Sequence, residues 1–504
     1  MALSLHDTGA PPPCPAPFNL AQYVLEAGLD VPDKIALAVL RPTGAKRISH
    51  ASLRSAVLGT ATGLLHSGLN PGDKLLMRLG NTPEFPIAYL GAIAAGIVPV
   101  PTSSQLTEPE VQAILASLKP AAVLHQPGIA LGPTNLPVLS AEALDGWHAL
   151  PPAAFDMGDS NRLAYIVYTS GTSGTPRAVG HAHRAVWARR MMHRDWYGLR
   201  PDDRLMHAGA FNWTFTLGTG LLDPWSVGAT ALVPAEGVEI AQLPLLIRRN
   251  DATLFAAAPG VFRKLLGGSL PDLPRLRHAL SAGEKLSEPL RAAWRDATGT
   301  EVFEAFGMSE CSTFISAAPH RPAAPGALGM AQTGRRVAVL GEDGTPVPRG
   351  TEGTIAVHRD DPGLMLGYVG APEATAARNI GEWFLTGDRG IMDDDGQITY
   401  RGRADDMMNA GGYRVSPLEV EAALADLPGI TEIAVTDIEV KPDVRLIAAA
   451  YTGPAPLDED ALLKAAQTRL ARYKCPRRFV HLPQLPRNPN GKLSRSALRA
   501  LIPL

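Results

Sequence analysis

A loop rich in glycine and hydroxyl residues, YTSGTSGTPR at 168–177, follows a short apolar run in this chain of 504 residues. Gly171 and Gly174 permit positive φ angles and a close approach of the backbone to a ligand. The surrounding hydroxyl residues add hydrogen-bond donors, a composition typical of a loop that wraps phosphate oxygens. A Walker A motif consists of a glycine, four further residues and then Gly-Lys-Ser/Thr. This loop does not match it, because Gly174 is followed by Thr-Pro-Arg. An ordinary surface turn has a similar composition, so the loop alone does not decide the function.

Composition excludes several classes of protein. Hydrophobic residues make up 45% of the chain and charged residues 19%, as in a globular protein. The net charge of -2 argues against a nucleic-acid binder, which usually carries a basic excess. Cys14, Cys311 and Cys475 lie far apart, which fits neither a disulfide framework nor a clustered metal site and favours a cytoplasmic location. No apolar run approaches the ~20 residues of a membrane span, and the proline-interrupted start does not resemble a signal peptide.

The segments that must position the loop alternate between helix and strand. A helix is predicted over 51–66, a strand over 73–79 and a second helix over 84–96, with another short strand after it. TEPE at 107–110 is a capping box that opens a helix ending near Lys119. This alternation predicts a parallel sheet with helices on its faces, and ligands are expected at the carboxyl ends of its strands.

The sequence pattern changes after about residue 325. From there, turn residues recur about every 8 to 12 positions between short predicted strands. Helices and strands alternate again beyond the GRADD segment at 402–406. The predicted fold is therefore α/β. A large N-terminal domain over 1–404 would contain parallel-sheet α/β subdomains and a β-rich subdomain, and a small, mobile α+β domain would occupy 405–504.

Four further motifs accompany the loop: FGMSE at 306–310, TGD at 386–388, GRADD at 402–406 and NPNGK at 488–492. In this order and spacing they resemble the adenylate-forming enzymes, which include acyl-CoA synthetases, peptide-synthetase adenylation domains and luciferases. The resemblance covers nearly the whole chain. It implies that a carboxylate attacks the α-phosphate of ATP, forming acyl-AMP and releasing pyrophosphate. Two anions meet in this step, so cationic and N–H groups must absorb the charge.

The resemblance also implies roles for single residues. The 168–177 loop would hold the β- and γ-phosphates, and Arg177 stands where lysine is usual, keeping the positive charge. Glu310 resembles the magnesium-binding glutamate, Lys492 the catalytic lysine of adenylation and Arg403 the arginine that reaches the ribose and phosphate. The predicted nucleotide-binding residues are Thr169, Ser170, Gly171, Thr172, Ser173, Gly174, Thr175, Arg177, Gly283, Glu284, Glu304, Ala305, Phe306, Ser309, Asp388 and Arg403.

The segment HAGAFNWTFTLGTG, which begins at His207, resembles the one that crosses the acyl pocket in this superfamily. Peptide-synthetase domains carry Phe-Asp here, and the aspartate pairs with the α-ammonium of their substrate. Phe211-Asn212 supplies no such charge, which disfavours an α-amino acid because an unpaired buried ammonium costs several kcal/mol. The predicted substrate residues are His207, Phe211, Asn212, Trp213, Gly307 and Met308. His181, His183 and His193 are irregularly spaced, so local hydrogen bonds are expected of them rather than metal binding.

GGYRVSPLEVE and ARYKCPRRF are similar to segments of acyl-CoA synthetases of the acetate, medium-chain and benzoate type. The resemblance implies that Asp405 is a hinge about which the small domain rotates between two half-reactions. The residues that it implies for CoA are Gly411, Gly412 and Tyr413 at the pantetheine tunnel and Arg472, Lys474 or Arg477 near the CoA phosphates.

The expected enzyme is thus an AMP-forming acid:CoA ligase that uses ATP, Mg²⁺ and CoA to activate a short-chain, medium-chain or aromatic carboxylic acid. One alternative is an adenylation enzyme that loads a carrier protein, and another is a nucleotide-binding regulatory protein without catalysis. The expected partners are small molecules, with no nucleic acid and no membrane span, and a homodimer is left open.

Overall fold

The computed structural model describes residues 2–169, 177–404, 406, 408–410, 413–441, 444–470, 474–488 and 491–502. The chain so described divides into two compact units. The larger unit comprises His6–Val337 and Val357–Phe384, and the smaller unit comprises Met1–Leu5, Ala338–Ala356 and Leu385–Leu504. The domain boundary between 404 and 405 is a different division of the chain and stays a prediction.

A sheet with a parallel centre and antiparallel edges organises the larger unit. Leu254 and Ala256 of one central strand belong to one hydrophobic cluster, while Phe255 and Ala257 belong to another. The strand is therefore buried on both faces, as parallel strands usually are. In spatial order the strands are Met330–Ala331, Ser312–Ser316, Val302–Met308, His278–Ala282, Leu254–Ala257, Arg204–His207, Thr230–Pro234, Ile35–Arg41 and Gly44–Ser49.

A second sheet of the larger unit is parallel throughout and confirms the alternation predicted near the start of the chain. The capping box forms as predicted, because the Thr107 N–H donates to Glu110 Oε2 over 2.8 Å. The strands of this sheet are, in spatial order, Val98–Pro101, Lys74–Arg78, Ala122–His125 and Val138–Ser140.

The helices of the larger unit include the long ones predicted around residues 51–66, 84–96 and 107–119. Two π-helical turns, His193–Tyr197 and Thr216–Leu222, interrupt the α-helical segments. The α-helices are Leu20–Glu26, His50–His66, Glu84–Ala94, Glu108–Leu118, Ala143–Trp147, Arg184–Ala188, Arg190–Met192, Asp223–Ser226, Leu243–Arg249, Pro259–Leu266, Glu288–Thr298 and Pro372–Ala376.

The strand before the phosphate loop does not continue into a helix. Leu163–Thr169 pairs antiparallel with Arg177–Ala182, with Thr169 opposite Arg177, and Gly367–Tyr368 pairs with the other edge of Arg177–Ala182. The predicted loop residues 170–176 lie outside the described residues. The flanking residues Thr169 and Arg177 occupy paired positions on neighbouring strands of one sheet.

The smaller unit contains the β-rich region and the C-terminal elements. Ile398–Arg403 pairs antiparallel with Trp383–Met392, which places Asp388 opposite Arg403. Further strands with residues in this unit are Val337–Leu340, Glu352–His358, Met408–Ala410, Tyr413–Val415, Glu432–Lys441, Val444–Thr452 and Arg478–His481. Its helices are Pro417–Leu424, Glu459–Arg469 and Arg495–Leu501. The mixture of parallel sheets, helices and a β-rich region confirms the predicted α/β class.

The described part of the chain contains no helix that combines the length and apolarity needed to span a bilayer. Within the same residues, Cys14, Cys311 and Cys475 form no disulfide.

Candidate active site

Glu310 lies at the tip of a β-hairpin in the larger unit. The strands of the hairpin are Val302–Met308 and Ser312–Ser316, and the first of them reaches its carboxyl end at the tip. A backbone hydrogen bond of 3.2 Å joins the first and last residues of the segment 308–311, which we call the 308–311 turn. The predicted magnesium ligand is thus held at the edge of the sheet where ligands were expected.

The hairpin is strained on the far side of this turn. Ser312 has a φ of 63°, a conformation that side chains other than glycine seldom adopt. Across the hairpin, a Cβ atom on Gly307 would lie 2.1 Å from the Ser312 carbonyl oxygen, so only glycine fits there. Gly307 and Met308, both predicted substrate residues, therefore sit on a backbone whose geometry leaves little freedom.

Both carbonyl groups at the tip of the turn accept hydrogen bonds from outside the hairpin. His181 Nε2 donates to the Ser309 carbonyl over 2.8 Å, and the Met365 N–H donates to the Glu310 carbonyl over 2.7 Å. Burial lowers the pKa of His181 to about 4. The imidazole is therefore neutral near pH 7, with its proton on the nitrogen that faces Ser309.

The Glu310 side chain is connected to the end of the phosphate loop through a tyrosine. The Tyr368 hydroxyl donates to Glu310 Oε1 over 2.6 Å. The guanidinium carbon of Arg177 lies 4.9 Å from the centroid of the Tyr368 ring, in the geometry of a cation–π contact. Burial, together with the charge of Glu310, raises the pKa of Tyr368, so the hydroxyl stays protonated as a donor. We call Arg177, Tyr368 and Glu310 the 177–368–310 cluster.

The donor chemistry of this cluster suits magnesium. Mg²⁺ in nucleotide sites usually takes one or two protein carboxylates and completes its shell with phosphate oxygens and water. Among the described residues no group of three or more His, Cys, Asp or Glu side chains forms an all-protein metal site. The single carboxylate of Glu310 therefore fits an ion carried by the nucleotide better than a metal held by the protein alone.

Glu304 and Ala305 lie on the strand Val302–Met308, and both are buried. The Glu304 carboxylate pairs with Lys285 over 2.7 Å and with Arg291 over 3.3 Å, and burial raises its pKa. The predicted nucleotide role of Glu304 stays a prediction, and its carboxylate already has internal partners.

The other predicted adenine and acyl residues of this region lie nearby in the chain. Gly283 and Glu284 follow the strand His278–Ala282, and Gly283 needs the freedom of glycine because its φ is 97°. The half-buried Phe306 ring makes an edge-to-face contact of 5.5 Å with Phe314.

The predicted acyl segment is an aromatic cluster around a buried histidine. The His207 ring lies 4.4 Å from the centroid of Phe215, which lies 5.2 Å from that of Trp213. His207 Nδ1 accepts a hydrogen bond from the Gly209 N–H over 3.0 Å, and burial lowers the pKa of His207 to about 3. The histidine is therefore neutral near pH 7, and the cluster presents no charge.

Phe211 and Asn212 differ in their surroundings. Phe211 is fully buried, and its ring lies 5.6 Å from that of Phe85. Its N–H donates to Asn81 Oδ1 over 2.8 Å. The Asn212 side chain is half-buried and makes no hydrogen bond to any residue within the described ranges. Phe211 therefore packs in the core, and its predicted contact with the substrate stays a prediction, while Asn212 keeps its amide available.

The smaller unit brings Asp388 and Arg403 together, as their pairing on neighbouring strands requires. Arg403 Nη1 lies 3.5 Å from Asp388 Oδ2, and the Tyr400 hydroxyl donates to Asp388 Oδ1 over 2.9 Å. Burial and the charge of Asp388 raise the pKa of Tyr400 well above its usual value, so this donor stays protonated. The carboxylate predicted to accept the ribose hydroxyls is thus oriented by two side chains.

The backbone of Lys492 is hydrogen-bonded to Asn488. Asn488 Oδ1 accepts from the Lys492 N–H over 3.0 Å, and the Asn488 N–H donates back to the Lys492 carbonyl over 2.8 Å. Gly491, just before Lys492, has a φ of 80°, a conformation that favours glycine. Lys474, predicted to lie near the CoA phosphates, pairs with Glu419 over 2.5 Å.

Several predicted residues cannot be placed. The side chains of Thr169 and Tyr413 are not described, although both residues lie on strands. The predicted residues outside the described ranges are Ser170, Gly171, Thr172, Ser173, Gly174, Thr175, Asp405, Gly411, Gly412 and Arg472.

The sequence did not predict the hydrogen bond of Tyr368 to Glu310 or that of His181 to the Ser309 carbonyl. Tyr368 lies 58 residues from Glu310 along the chain, and His181 lies 128 residues from Ser309. Neither contact has a local sequence signal, because each depends on how the strands Arg177–Ala182 and Gly367–Tyr368 pair.

Comparison with known proteins identifies the family of the chain. A family model described as AMP-binding enzyme matches residues 26–369, and one described as AMP-binding enzyme C-terminal domain matches residues 419–492. The 3-hydroxybenzoate CoA ligase of Aromatoleum sp. (strain CIB) is 30% identical over 485 residues, covering 91% of this chain and 92% of the relative. The mitochondrial acyl-coenzyme A synthetase ACSM3 of Rattus norvegicus is 29% identical, covering 86% of this chain and 80% of the relative.

Solved structures agree with these relatives. ATP-bound MatB from Rhodopseudomonas palustris superposes with a TM-score of 0.88 at 26% identity, covering 96% of this chain and 99% of MatB. A benzoate CoA ligase from Burkholderia xenovorans LB400 gives a TM-score of 0.86 at 26% identity, and the match covers 96% of this chain and 100% of the ligase. The predicted superfamily is confirmed, and free CoA is favoured over a carrier protein as the acceptor. The chain belongs to the AMP-binding enzymes, in the group of AMP-forming acyl-CoA synthetases.

Proposed function

We propose that this acyl-CoA synthetase activates an apolar carboxylic acid of the medium-chain or aromatic type and transfers it to CoA. In the first half-reaction the carboxylate attacks the α-phosphate of ATP, giving acyl-AMP and pyrophosphate. In the second, the CoA thiol attacks the acyl carbonyl, its proton is lost, and AMP leaves. The observation that carries the proposal is the 177–368–310 cluster, which joins the end of the phosphate loop to a carboxylate at a strand end.

Glu310 is the residue that would hold Mg²⁺, and the ion would supply positive charge shared between phosphate oxygens. The protein contributes position and charge around it. Tyr368 orients the Glu310 carboxylate through its hydroxyl, and Arg177 contributes a cation at the end of the loop that would hold the β- and γ-phosphates. His181 fixes the carbonyl of Ser309, whose hydroxyl we assign to the α-phosphate.

Asp388 would accept the ribose hydroxyls, with Arg403 and Tyr400 keeping its carboxylate oriented. Lys492 would stabilise the charge that develops at the α-phosphate during adenylation. The small domain over 405–504, with Asp405 as hinge, would present Lys492 in the first half-reaction and the CoA residues Gly411, Gly412, Tyr413 and Lys474 in the second.

The class of acid follows from the uncharged aromatic cluster. His207 is neutral, Trp213 and Phe215 are apolar, and Asn212 carries no charge that would pair with an α-ammonium. Leaving a buried charge unpaired costs several kcal/mol or more, whereas burying an alkyl chain or a ring is favourable. These residues favour an acid without a charged substituent near its carboxyl group.

The decisive experiment measures pyrophosphate release and acyl-CoA formation with acetate, octanoate, benzoate and 3-hydroxybenzoate. At least one of these acids should release pyrophosphate and acylate free CoA, detected by mass spectrometry. Glu310→Ala should remove this activity while the protein keeps its fold. Glu301→Ala is the matched control, because Glu301 is a surface carboxylate paired with Arg295 over 3.5 Å. Unchanged turnover of Glu310→Ala at saturating Mg·ATP would contradict the assignment.

We further infer a cytoplasmic location, because cysteines without disulfides suit a reducing compartment. A homodimer stays a prediction. Light scattering on the purified protein would test it, since a dimer has twice the chain mass of 53.3 kDa.

A further inference from the structure

Arg189 and Asp223 form a buried ion pair in the larger unit. Arg189 Nε donates to Asp223 Oδ1 over 2.8 Å, and Nη2 donates to Oδ2 over 2.6 Å. The Arg189 side chain is 10% exposed and that of Asp223 1%. Burial alone would raise the pKa of Asp223, but the charge of Arg189 lowers it, so the pair stays ionised. Such a pair is tolerated in a core only when its remaining donors and acceptors are satisfied.

Two π-helical turns supply the remaining partners. The Tyr197 hydroxyl, on the turn His193–Tyr197, donates to Asp223 Oδ2 over 2.7 Å. Thr219, on the turn Thr216–Leu222, has its hydroxyl 2.8 Å from that of Tyr197. The second turn begins within the predicted acyl segment, directly after Phe215. π-Helical turns are rare and frequently occur at functional sites, so their convergence on one ion pair calls for an explanation.

Arg189 also reaches beyond its ion pair to the hairpin that carries Glu310. Its Nη1 donates to Ser312 Oγ over 2.5 Å, although the two residues are 123 positions apart in the chain. Ser312 is the strained residue that follows the 308–311 turn. A Cβ atom on Gly218 would lie 2.3 Å from the guanidinium carbon of Arg189, so glycine leaves the space that the arginine fills.

We propose that Arg189 is a positioning residue for Glu310. By its hydrogen bond to Ser312, Arg189 holds the 308–311 turn, and with it Glu310, in the position that binds magnesium. The two hydrogen bonds to Asp223 fix the plane of the Arg189 guanidinium. Its Nη1 atom then holds the Ser312 hydroxyl, which keeps the Ser312 backbone in its strained conformation. Backbone strain persists only where surrounding contacts enforce it. When this contact is lost, Ser312 relaxes and Glu310, two residues earlier, moves with the turn. The inference rests on the proposed function, because it takes Glu310 as the magnesium ligand.

The test measures the magnesium dependence of nucleotide binding rather than turnover. Purified full-length protein is titrated with α,β-methylene-ATP at a series of Mg²⁺ concentrations by calorimetry, and once in EDTA. Loss of a group that orients a metal ligand typically lowers metal affinity about 10- to 100-fold. Ser312→Ala should therefore need about 10- to 100-fold more Mg²⁺ for half-maximal binding, with the affinity in EDTA unchanged.

Arg189→Lys tests the same link from its other end. Lysine keeps a charge for Asp223 but lacks the planar fork that reaches Asp223 and Ser312 together. Arg189→Lys should show the same rise in the Mg²⁺ requirement as Ser312→Ala, and the double variant should show no further rise. Additive effects in the double variant would overturn the proposal, because they would mean that the two side chains act separately.

Arg277→Lys is the matched control. Arg277 Nη2 donates to Asp203 Oδ2 over 2.7 Å, just before the strands His278–Ala282 and Arg204–His207 begin. Because these strands are parallel, the pair lies at their amino ends, whereas Glu310 follows a carboxyl end. The control should lose stability without a change in the Mg²⁺ requirement.

The outcomes separate the two proposals. A wild-type protein that binds the analogue without any dependence on Mg²⁺ would overturn the proposed role of Glu310, and the inference with it. Normal Mg²⁺ dependence in the wild type together with an unchanged requirement in Ser312→Ala would overturn the inference alone. Unequal thermal stability among the variants is corrected by measuring binding well below each midpoint of unfolding.

Discussion

Tyr368→Phe isolates the bond that orients the predicted magnesium ligand. The substitution removes the hydroxyl that donates to Glu310 Oε1 over 2.6 Å and keeps the ring that stacks under Arg177. A hydrogen bond to a charged group contributes about 1.5–3 kcal/mol. Glu310 is half-buried, so water can replace part of the lost donor, and we expect the lower end of this range. Since each 1.4 kcal/mol is tenfold, Mg·ATP binding should weaken about tenfold.

The bond exists before any substrate reacts, so its loss should appear mainly as a higher KM for Mg·ATP with kcat little changed. The assay is pyrophosphate release at a saturating concentration of an acid from the panel, with Mg·ATP varied. Because the pKa of Tyr368 is raised above its ordinary value, the hydroxyl stays protonated, and the tenfold difference should persist from pH 6 to pH 9.

Two further variants sharpen this measurement. Tyr368→Leu also removes the ring under Arg177, and a cation–π contact contributes about 0.5–1 kcal/mol at a partly exposed site, so KM should rise a further two- to fivefold or so. Tyr23→Phe is the control, because the Tyr23 ring packs against Phe18 and Trp187, neither of which belongs to the hairpin. An unchanged KM in Tyr368→Phe, or an equal rise in Tyr23→Phe, would refute the argument that Tyr368 orients Glu310.

The remaining predictions concern the two half-reactions, the acid and the pH. Lys492→Ala should slow acyl-AMP synthesis by about 10²–10³-fold and leave the conversion of supplied acyl-AMP and CoA near the wild-type rate; equal slowing of both steps would contradict the domain rotation. An α-amino acid should support far less pyrophosphate exchange than the des-amino acid of the same shape, and Asn212→Asp should narrow that difference; a wild-type preference for the amino acid would reverse the assignment. His181, His183 and His207 have pKa values of about 4, 3 and 3 because they are buried, against 6.5 for an exposed histidine. The unfolded chain therefore binds protons that the folded chain does not, so the free energy of unfolding should hold above pH 6.5 and fall as the pH drops towards 4. Urea denaturation at pH 7.5, 6 and 5 measures this fall, and equal midpoints would contradict it.

The parts of the fold that could be predicted are those with local signals. The helix Glu108–Leu118 has its capping box, and the strands and helices between 51 and 125 follow their apolar periodicity. The motif residues Ser309 and Glu310 follow the carboxyl end of the strand Val302–Met308, the kind of position where ligands were expected. These features depend on neighbours in the sequence, which a single chain displays.

The parts that could not be predicted depend on contacts between distant segments. The antiparallel pairing of Leu163–Thr169 with Arg177–Ala182 was not predicted, because it depends on contacts between the two strands and not on a pattern within either one. The ion pairs of Glu304 with Lys285 and Arg291 were not predicted either, because they join different segments of the chain. No periodicity in the sequence indicates either arrangement.

The close approach at Gly307 limits how the substrate range of this enzyme can be redesigned. Any side chain there would collide with the backbone oxygen of Ser312, 2.1 Å from the position of its first carbon. A library that randomises position 307 would therefore consist almost entirely of variants in which Glu310, the proposed magnesium ligand, is displaced, whatever acid they were selected on. Trp213 and Asn212, which are half-buried side chains outside that hairpin, offer diversity without this penalty. Selection for a new acid would accordingly move through the aromatic segment while glycine at 307 stays fixed.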